Sequence, residues 1–171
     1  MFELLLMRHA KSDWHSHLAD IERPLNERGR RDAARLGLYL EQAGLTPDRM
    51  VVSAAERTQE TARLLLQAIP VAEESTSIDK SLYLADMETL CDNIAFYAIE
   101  GQRLLVLAHN PGMDYLVNYL AHSAPPLSDS GKLMTTCAVA YFHLDTLDAL
   151  KKPGKGELRK LIRPKDIIIN G

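Results

Sequence analysis

Three short, unbroken apolar runs constrain the fold of this chain more than any other feature of its sequence. They lie within residues 3–7, 49–52 and 103–108, and in each of these segments one charged residue precedes the apolar ones. A strand with one face in solvent alternates between apolar and polar residues, whereas a continuous apolar run of this length is typical of a strand buried on both faces. The runs therefore predict a parallel sheet that is covered on both sides.

Amphipathic stretches lie between these runs and predict four helices, each with one apolar face. Asn26 is a suitable N-cap for the first helix, which extends through Glu41 and stops before Gly44. Asp86 is expected to cap the third helix in the same way. The predicted helices cover residues 27–41, 56–68, 87–98 and 112–121.

Two later stretches alternate in polarity and predict strands near the edge of the sheet. They cover residues 137–144 and 157–162, and a turn rich in lysine, proline and glycine at residues 151–156 joins them. The alternation of strands and helices predicts an α/β fold, a three-layer α/β/α sandwich with a mainly parallel sheet. Because 171 residues suit one core better than two, we expect a single domain over residues 1–171.

The charge pattern limits the classes of partner. The formal net charge is -3 and both signs are interspersed, which argues against nucleic acid or an anionic membrane as a partner. The first apolar run is also too short to span a membrane. Cys91 and Cys137 have neither a CxxC partner nor metal-ligand spacing, so we expect free thiols in a cytoplasmic protein.

Two arginines and two histidines follow the predicted core strands. Ligands of open α/β sheets bind beyond the carboxyl ends of the strands. Arginine can pair with phosphate oxygens through its planar fork, and imidazole can attack phosphorus. Taken singly, each arginine could be a surface residue. His9 could be a core histidine or a metal ligand, and His109 could be a helix cap or a buried histidine. The candidate residues at this edge are Arg8, His9, Ser53, Arg57, His109 and Asn110.

A metal site is the main alternative use of these side chains. The arginines would repel a cation, and no HxH or HExxH spacing occurs beside a carboxylate cluster. The glycine patterns of nucleotide-binding folds are also missing after the first strand. We therefore expect an anion-binding site that needs neither a metal nor another cofactor, with Ser53 and Asn110 contacting the substrate.

Four motifs, in order along the chain, resemble the histidine phosphatase superfamily, also called the phosphoglycerate mutase-like family. They are most similar to its short SixA-type phosphohistidine phosphatases. Ala10 stands where the wider superfamily commonly has glycine, and SixA-like members resemble this chain there. The motifs are LLLMRHAKSDW ending at Trp14, ERPLNERGRRDA from Glu22, VVSAAERTQETA from Val51 and LVLAHNPG from Leu105.

This resemblance implies an α/β/α fold and a hydrolase that forms a covalent phosphohistidine. It places the nucleophile at His9, the phosphate-binding arginines at Arg8 and Arg57, and the second histidine at His109. Larger members carry a general acid on an inserted lid. Here the candidates for that acid are Asp86 and Glu88, which equally suit a helix cap and a solvated first-turn residue.

Three functions remain open from the sequence. The favoured one is removal of phosphate, as the product, from phosphohistidine on a partner protein, in keeping with a role in signal transduction. A missing general acid matters less for phosphohistidine than for an alkyl ester, because an imidazole is protonated near ~6.5 and an alkoxide is a far stronger base. The stretch between Arg57 and Arg103 is also short for a lid. The alternatives are a small-molecule phosphomonoesterase and a non-catalytic phosphoprotein-binding module. The intact pair of His9 and His109 argues against the last.

Overall fold

A computed structural model, which describes residues 1–170, contains a six-stranded sheet with two helices on each face. The strands are β1 (Phe2–Arg8), β2 (Arg49–Ser53), β3 (Thr76–Asp79), β4 (Arg103–Ala108), β5 (Val139–Leu144) and β6 (Gly156–Ile162). The helices are α1 (Glu27–Gln42), α2 (Glu56–Leu66), α3 (Met87–Tyr97) and α4 (Gly112–Leu120).

The strand order is β3-β2-β4-β1-β5-β6. The four strands from β3 to β1 run parallel, and β5 runs antiparallel to both of its neighbours. The predicted sandwich with a mainly parallel sheet is therefore confirmed. Among residues 1–170, no helix combines the length and the apolarity that crossing a membrane requires.

Successive residues of the central strands contribute to two separate cores. On β1, Leu4 and Leu6 pack under α3 and α4, whereas Leu5 and Met7 pack under α1 and α2. All four side chains are buried. Burial on both faces is the reason that this strand is a continuous apolar run in the sequence.

The first turn of α1 is held against the segment that follows β1. The side chain of Asn26 accepts a hydrogen bond from the backbone N–H of Gly29 at 2.9 Å, as expected for an N-cap. A Cβ atom on Gly29 would lie 2.0 Å from the carbonyl oxygen of Lys11, so only glycine allows this approach. The contact fixes Lys11 and its neighbours beside the carboxyl end of β1.

The structure differs from the sequence prediction toward the two edges of the sheet. Strand β3 was not predicted, because it has four residues and no apolar run. Strand β5 lies inside the sheet and begins at Val139, since Cys137 adopts a positive φ of 65°. The connection from β5 to β6 contains a 3-10 helix, Leu147–Lys151, and is longer than the predicted turn. Both cysteines are free, as predicted.

Candidate active site

The carboxyl ends of three neighbouring strands bring the candidate residues together. Arg8 of β1 pairs with Ala108 of β4, so His9 and His109 each follow a residue of the same strand pair. Ser53 ends β2, which is the other neighbour of β4. Sheet pairing therefore aligns three loops that are distant in sequence.

The two imidazoles face each other in a buried position. The ring centroids of His9 and His109 are 5.3 Å apart, and the rings are tilted by 55°. The exposed fraction is 7% for His9 and 2% for His109. The predicted convergence of the two histidines is therefore present, and little of either ring is open to solvent.

A backbone hydrogen bond defines the tautomer of His9. Its Nδ1 atom lies 2.7 Å from the carbonyl oxygen of Ala10, and a carbonyl can only accept. In the neutral ring Nδ1 therefore carries the hydrogen, and Nε2 keeps its lone pair. The N–H of Ala10 in turn donates to Thr61 Oγ1 at 3.1 Å, which fixes this turn. Nε2 is thus the nitrogen that can act as a nucleophile.

A hydrogen bond from Ser53 defines the tautomer of His109. The hydroxyl oxygen of Ser53 lies 2.7 Å from Nε2 of His109. The hydroxyl can also accept from the N–H of Ala55, so its own hydrogen is available for Nε2. Nδ1 of His109 then carries a hydrogen, and it is buried without a partner among residues 1–170. This arrangement leaves one N–H of His109 for a ligand.

Both histidines are neutral at pH 7. Burial is the main cause, and it lowers the pKa of His9 and of His109 to about 3 each. The positive charges of Arg57 and Arg8 lower both values further. Neutral His9 is a competent nucleophile, and neutral His109 can still donate a hydrogen bond to an oxyanion.

Each of the two predicted arginines leaves one buried nitrogen unused. Arg8 donates from Nη1 to the carbonyl oxygen of Met134 at 3.0 Å. Arg57 donates from Nη1 and Nη2 to Asp20 at 2.7 and 3.1 Å. Within the described part of the chain, Nε of both arginines is buried without a partner. Together with His109 Nδ1, these groups supply three donors of the kind that an oxyanion such as phosphate satisfies.

Three functional candidates were missed by the sequence analysis, namely Asp20, Arg23 and Tyr83. The carboxylate of Asp20 accepts hydrogen bonds from Arg57, from Arg23 and from the hydroxyl of Tyr83. The edge of the Tyr83 ring meets the ring of His109, with centroids 5.6 Å apart. None of the three directly follows a core strand, so the rule about strand ends could not find them. Arg23 lies in the ERPLN motif, which begins at Glu22, and Asp20 lies shortly before it.

Asp20 remains ionised in this setting. The hydrogen bond from Tyr83 is the largest favourable cause, and with Arg23 and Arg57 it lowers the pKa of Asp20 to about 2. Asp20 belongs to the segment between β1 and α1, and through its contacts with Arg57 this segment lies against the candidate active site. The sequence analysis did not consider this segment as part of the site.

The remaining predicted residues lie outside the group of unused donors. Asp86 caps α3 by accepting from the N–H of Thr89 at 2.9 Å. Glu88 lines a separate groove of about 500 Å³ against the 3-10 helix Leu147–Lys151. The side-chain amide of Asn110 donates to the carbonyl oxygen of Met134 at 3.1 Å, and its oxygen accepts from the backbone N–H of Asp114 at 3.2 Å. Substrate contact by Asn110 stays a prediction.

Comparison with known proteins shows similarity to one superfamily over the first half of the chain. Residues 4–82 match the family model of the histidine phosphatase superfamily (branch 1). An uncharacterised chloroplastic protein of Arabidopsis thaliana is 29% identical, with 96% of this chain and 79% of that protein aligned. A 2,3-bisphosphoglycerate-dependent phosphoglycerate mutase of Streptomyces avermitilis is 36% identical, over 39% of this chain and 28% of the mutase.

A solved structure supports the same conclusion at the level of fold. The protein histidine phosphatase SixA, complexed with tungstate, superimposes with a TM-score of 0.78 and 23% identity. The match covers 96% of this chain and 98% of SixA. The family model covers most of β1 and all of α1 and β2. Arg8 ends β1, His9 follows it, and Ser53 ends β2. Residues 4–82 are thus similar in sequence to the histidine phosphatase superfamily (branch 1), and nearly the whole chain is similar in fold to SixA.

Proposed function

We propose that this hydrolase removes the phosphoryl group from phosphohistidine on a partner protein, with His9 as the covalent nucleophile. The observation that carries the proposal is the geometry at His9. Its Nε2 keeps a lone pair, and the neighbouring imidazole and two guanidinium groups hold three unused donors. A site of this kind offers both the attacking atom and the hydrogen bonds for the phosphoryl oxygens.

The reaction would take place in two displacements. In the first, the substrate ring takes up a proton from solvent on its other nitrogen, His9 Nε2 forms a bond to phosphorus, and the N–P bond of the substrate breaks so that the ring departs as neutral imidazole. In the second, a water molecule attacks the phosphorylated His9, which releases inorganic phosphate and restores the free imidazole. Arg8, Arg57 and His109 would donate to the equatorial oxygens in both steps.

The preference for phosphohistidine follows from the state of the carboxyl groups. Asp20 is ionised and engaged by three donors, so it is poorly suited to give a proton to a leaving group. Asp86 and Glu88 make their contacts elsewhere. An imidazole is protonated near ~6.5 and leaves readily, whereas an alkoxide needs an acid.

The proposed reaction uses no metal. The two arginines can offset the charge of the transferring group, which is a role that metal ions fill in other phosphoryl-transfer sites. Among residues 1–170 there is no group of three or more His, Cys, Asp or Glu side chains that could hold a metal. Activity that a chelator abolishes and a divalent ion restores would contradict this part of the proposal.

One observation favours the alternative of a small-molecule phosphomonoesterase. His9 and His109 are almost fully buried, and Asp20 covers Arg57. Enclosure of this kind suits a small ligand, whereas a side chain on a folded partner needs an open approach. The SixA structure with tungstate shows that a related fold can bind a tetrahedral oxyanion, and it does not discriminate between the two substrates.

A direct comparison of substrates tests the proposal. The purified protein is assayed with a phosphohistidine peptide, phosphoserine and a sugar phosphate, and kcat/KM is measured for each. We expect the phosphohistidine peptide to exceed both esters by tenfold or more. An ester that exceeds the peptide by that margin would establish the phosphomonoesterase. A protein that binds phosphate and turns over none of the three would be a binding module.

A further inference from the structure

A groove rich in basic side chains lies beside the anion site. Its volume is about 490 Å³, and it is formed by the start of α1, by residues 127–136 and by the segment after β6. Arg8 lines this groove and also contributes to the anion site, so the two are continuous. Six basic side chains line it, namely Arg8, Lys11, Arg28, Lys132, Arg163 and Lys165.

The positive charge of this groove is a local property. Asp129 and Asp166 are its two acidic side chains, which leaves an excess of four positive charges. The whole chain carries a formal net charge of -3. The interspersed charges of the sequence therefore conceal a basic surface that forms when segments distant in the chain come together.

The basic side chains of the groove differ in whether they are already engaged by the protein. Arg163 is buried and donates to the carbonyl oxygens of Leu133 at 2.9 Å and Pro126 at 2.6 Å, which shapes the wall. Lys132 and Lys165 are exposed. In the described chain, neither of these two lysines takes part in an ion pair, and Lys11 takes part in none either. These three ammonium groups are available for a ligand.

We infer that this groove binds acidic residues that flank the phosphohistidine of a protein partner. The inference rests on the proposed function and specifies the chemistry of the partner. The charges are spread over four segments of the chain, and a flexible lysine is a point charge that can meet carboxylates along a peptide. A second phosphate on a small ligand would instead favour arginine forks that converge on one point.

The shared Arg8 gives the inference a geometric basis. A peptide that places its phosphohistidine at His9 passes Arg8 and then enters the groove within a few residues. Charge complementarity of this kind raises the rate of encounter and selects the partner, while the chemistry stays at His9. The groove would therefore act on specificity and leave the reaction mechanism unchanged.

Two phosphohistidine peptides of equal length test this inference. In one peptide the flanking positions carry Asp and Glu, and in the other these are replaced by Asn and Gln. We expect the wild-type protein to show kcat/KM about tenfold higher for the acidic peptide at low ionic strength, with a smaller ratio at high salt. In the double variant Lys132→Glu/Lys165→Glu, this ratio should fall to about one or below.

A matched control separates the groove from overall charge. Lys152→Glu/Lys155→Glu makes the same change in net charge before β6 begins, whereas Lys165 follows its end. The seven residues of β6 place the two sites roughly 20 Å apart. The control variant should keep the wild-type ratio.

Several results would overturn the inference. They are a ratio near one in the wild type, a ratio that Lys132→Glu/Lys165→Glu does not change, and an equal loss in both double variants. If the wild type hydrolyses neither peptide, the proposed function itself is wrong and the inference falls with it. Hydrolysis of both peptides at equal rates would retain the proposed function and reject the groove.

Discussion

Asp20 accepts hydrogen bonds from both terminal nitrogens of Arg57: its backbone carbonyl from Nη1 at 2.7 Å, and its carboxylate from Nη2 at 3.1 Å. Arg57 is 2% exposed, so this pairing orients a guanidinium group that has almost no contact with water. Of its three nitrogens, only Nε has no hydrogen-bond partner among residues 1–170. Asp20 thus determines which edge of Arg57 can meet a phosphoryl oxygen.

Replacing Asp20 by Asn should separate turnover from phosphate binding. The Asp20→Asn variant loses the charge that orients Arg57, so we expect kcat to fall about tenfold. It also loses a negative charge near the anion, so inhibition by inorganic phosphate should become tighter. Asp145→Asn, at an exposed position, serves as the control. Unchanged kcat together with unchanged phosphate inhibition would mean that Asp20 has no positioning role.

Removing the proposed nucleophile should abolish turnover and leave the fold intact. For His9→Ala we expect kcat to fall by roughly 10⁴-fold or more, because the variant lacks the imidazole whose Nε2 keeps a free lone pair. Rapid alkaline quenching of the wild type during turnover, which preserves an N–P bond, should reveal a phosphoryl adduct that the variant lacks. His122→Gln, at an exposed histidine, is the control. Substantial turnover by a folded His9→Ala protein would point to another nucleophile.

The geometry of Arg57 makes lysine a poor replacement. Lysine cannot engage Asp20 with two nitrogens and still present a third donor to the anion site. We expect Arg57→Lys to lower kcat/KM by on the order of 10²-fold. Arg63→Lys on the same helix, where the side chain is exposed, provides a matched control. Equal activity of the two variants would show that any cation suffices at position 57.

Ser53 should influence catalysis through His109. In Ser53→Ala, Nε2 of His109 loses its buried partner, so the tautomer with Nδ1–H is no longer favoured. We expect kcat to fall about tenfold and the free energy of unfolding to fall by about 1–3 kcal/mol. Ser53→Thr, which keeps the hydroxyl, should restore part of kcat. Ser77→Ala on the edge strand β3 is the control, and a loss of stability without any loss of kcat would contradict the role.

The buried histidines predict loss of stability in mild acid. Their pKa values are about 3 in the folded protein and ~6.5 in an unfolded chain, so the unfolded state binds more protons between these limits. The free energy of unfolding should therefore fall as pH decreases from 6.5 toward 4. Asp20 acts in the same direction, but only below its ordinary pKa of 3.8. Urea titrations at pH 7, 5.5 and 4.5 measure the effect.

A histidine variant provides the check on this assignment. His109→Gln removes one of the two titrating groups, and its stability should depend less on pH over the same window. Equal slopes in the wild type and the variant would show that other groups cause the loss of stability. Because the window lies above pH 4, titration of Asp20 does not interfere.

The sequence predicted the parts of this site that depend on buried strands. An apolar run identifies a core strand, and a core strand identifies the residue at its end, which is how Arg8, His9, Ser53 and His109 were found. Asn26 and Asp86 were found because a helix cap depends on a few adjacent residues. These features share a local origin.

Features that depend on the path of irregular segments could not be predicted. Asp20 and Tyr83 are 63 positions apart and meet through loops without a regular pattern. The basic groove likewise combines residues from Lys11 to Lys165. The four residues of β3 form a strand because β2 pairs with them, since only Ile78 among them is a strongly apolar residue and it is exposed. Each of these requires knowledge of tertiary contacts.

The pairing of β1 with β4 has a consequence for the mobility of the site. His9 and His109 leave the sheet from its two innermost parallel strands, so the backbone at the base of the site can open only when the whole sheet opens. The segment that carries Asp20 lies outside the strands of the sheet. We therefore expect slow hydrogen exchange of the backbone amides at Arg8 and Ala108 and faster exchange of those at residues 13–22. Opening of this segment would then admit a substrate while the backbone at His9 stays in place.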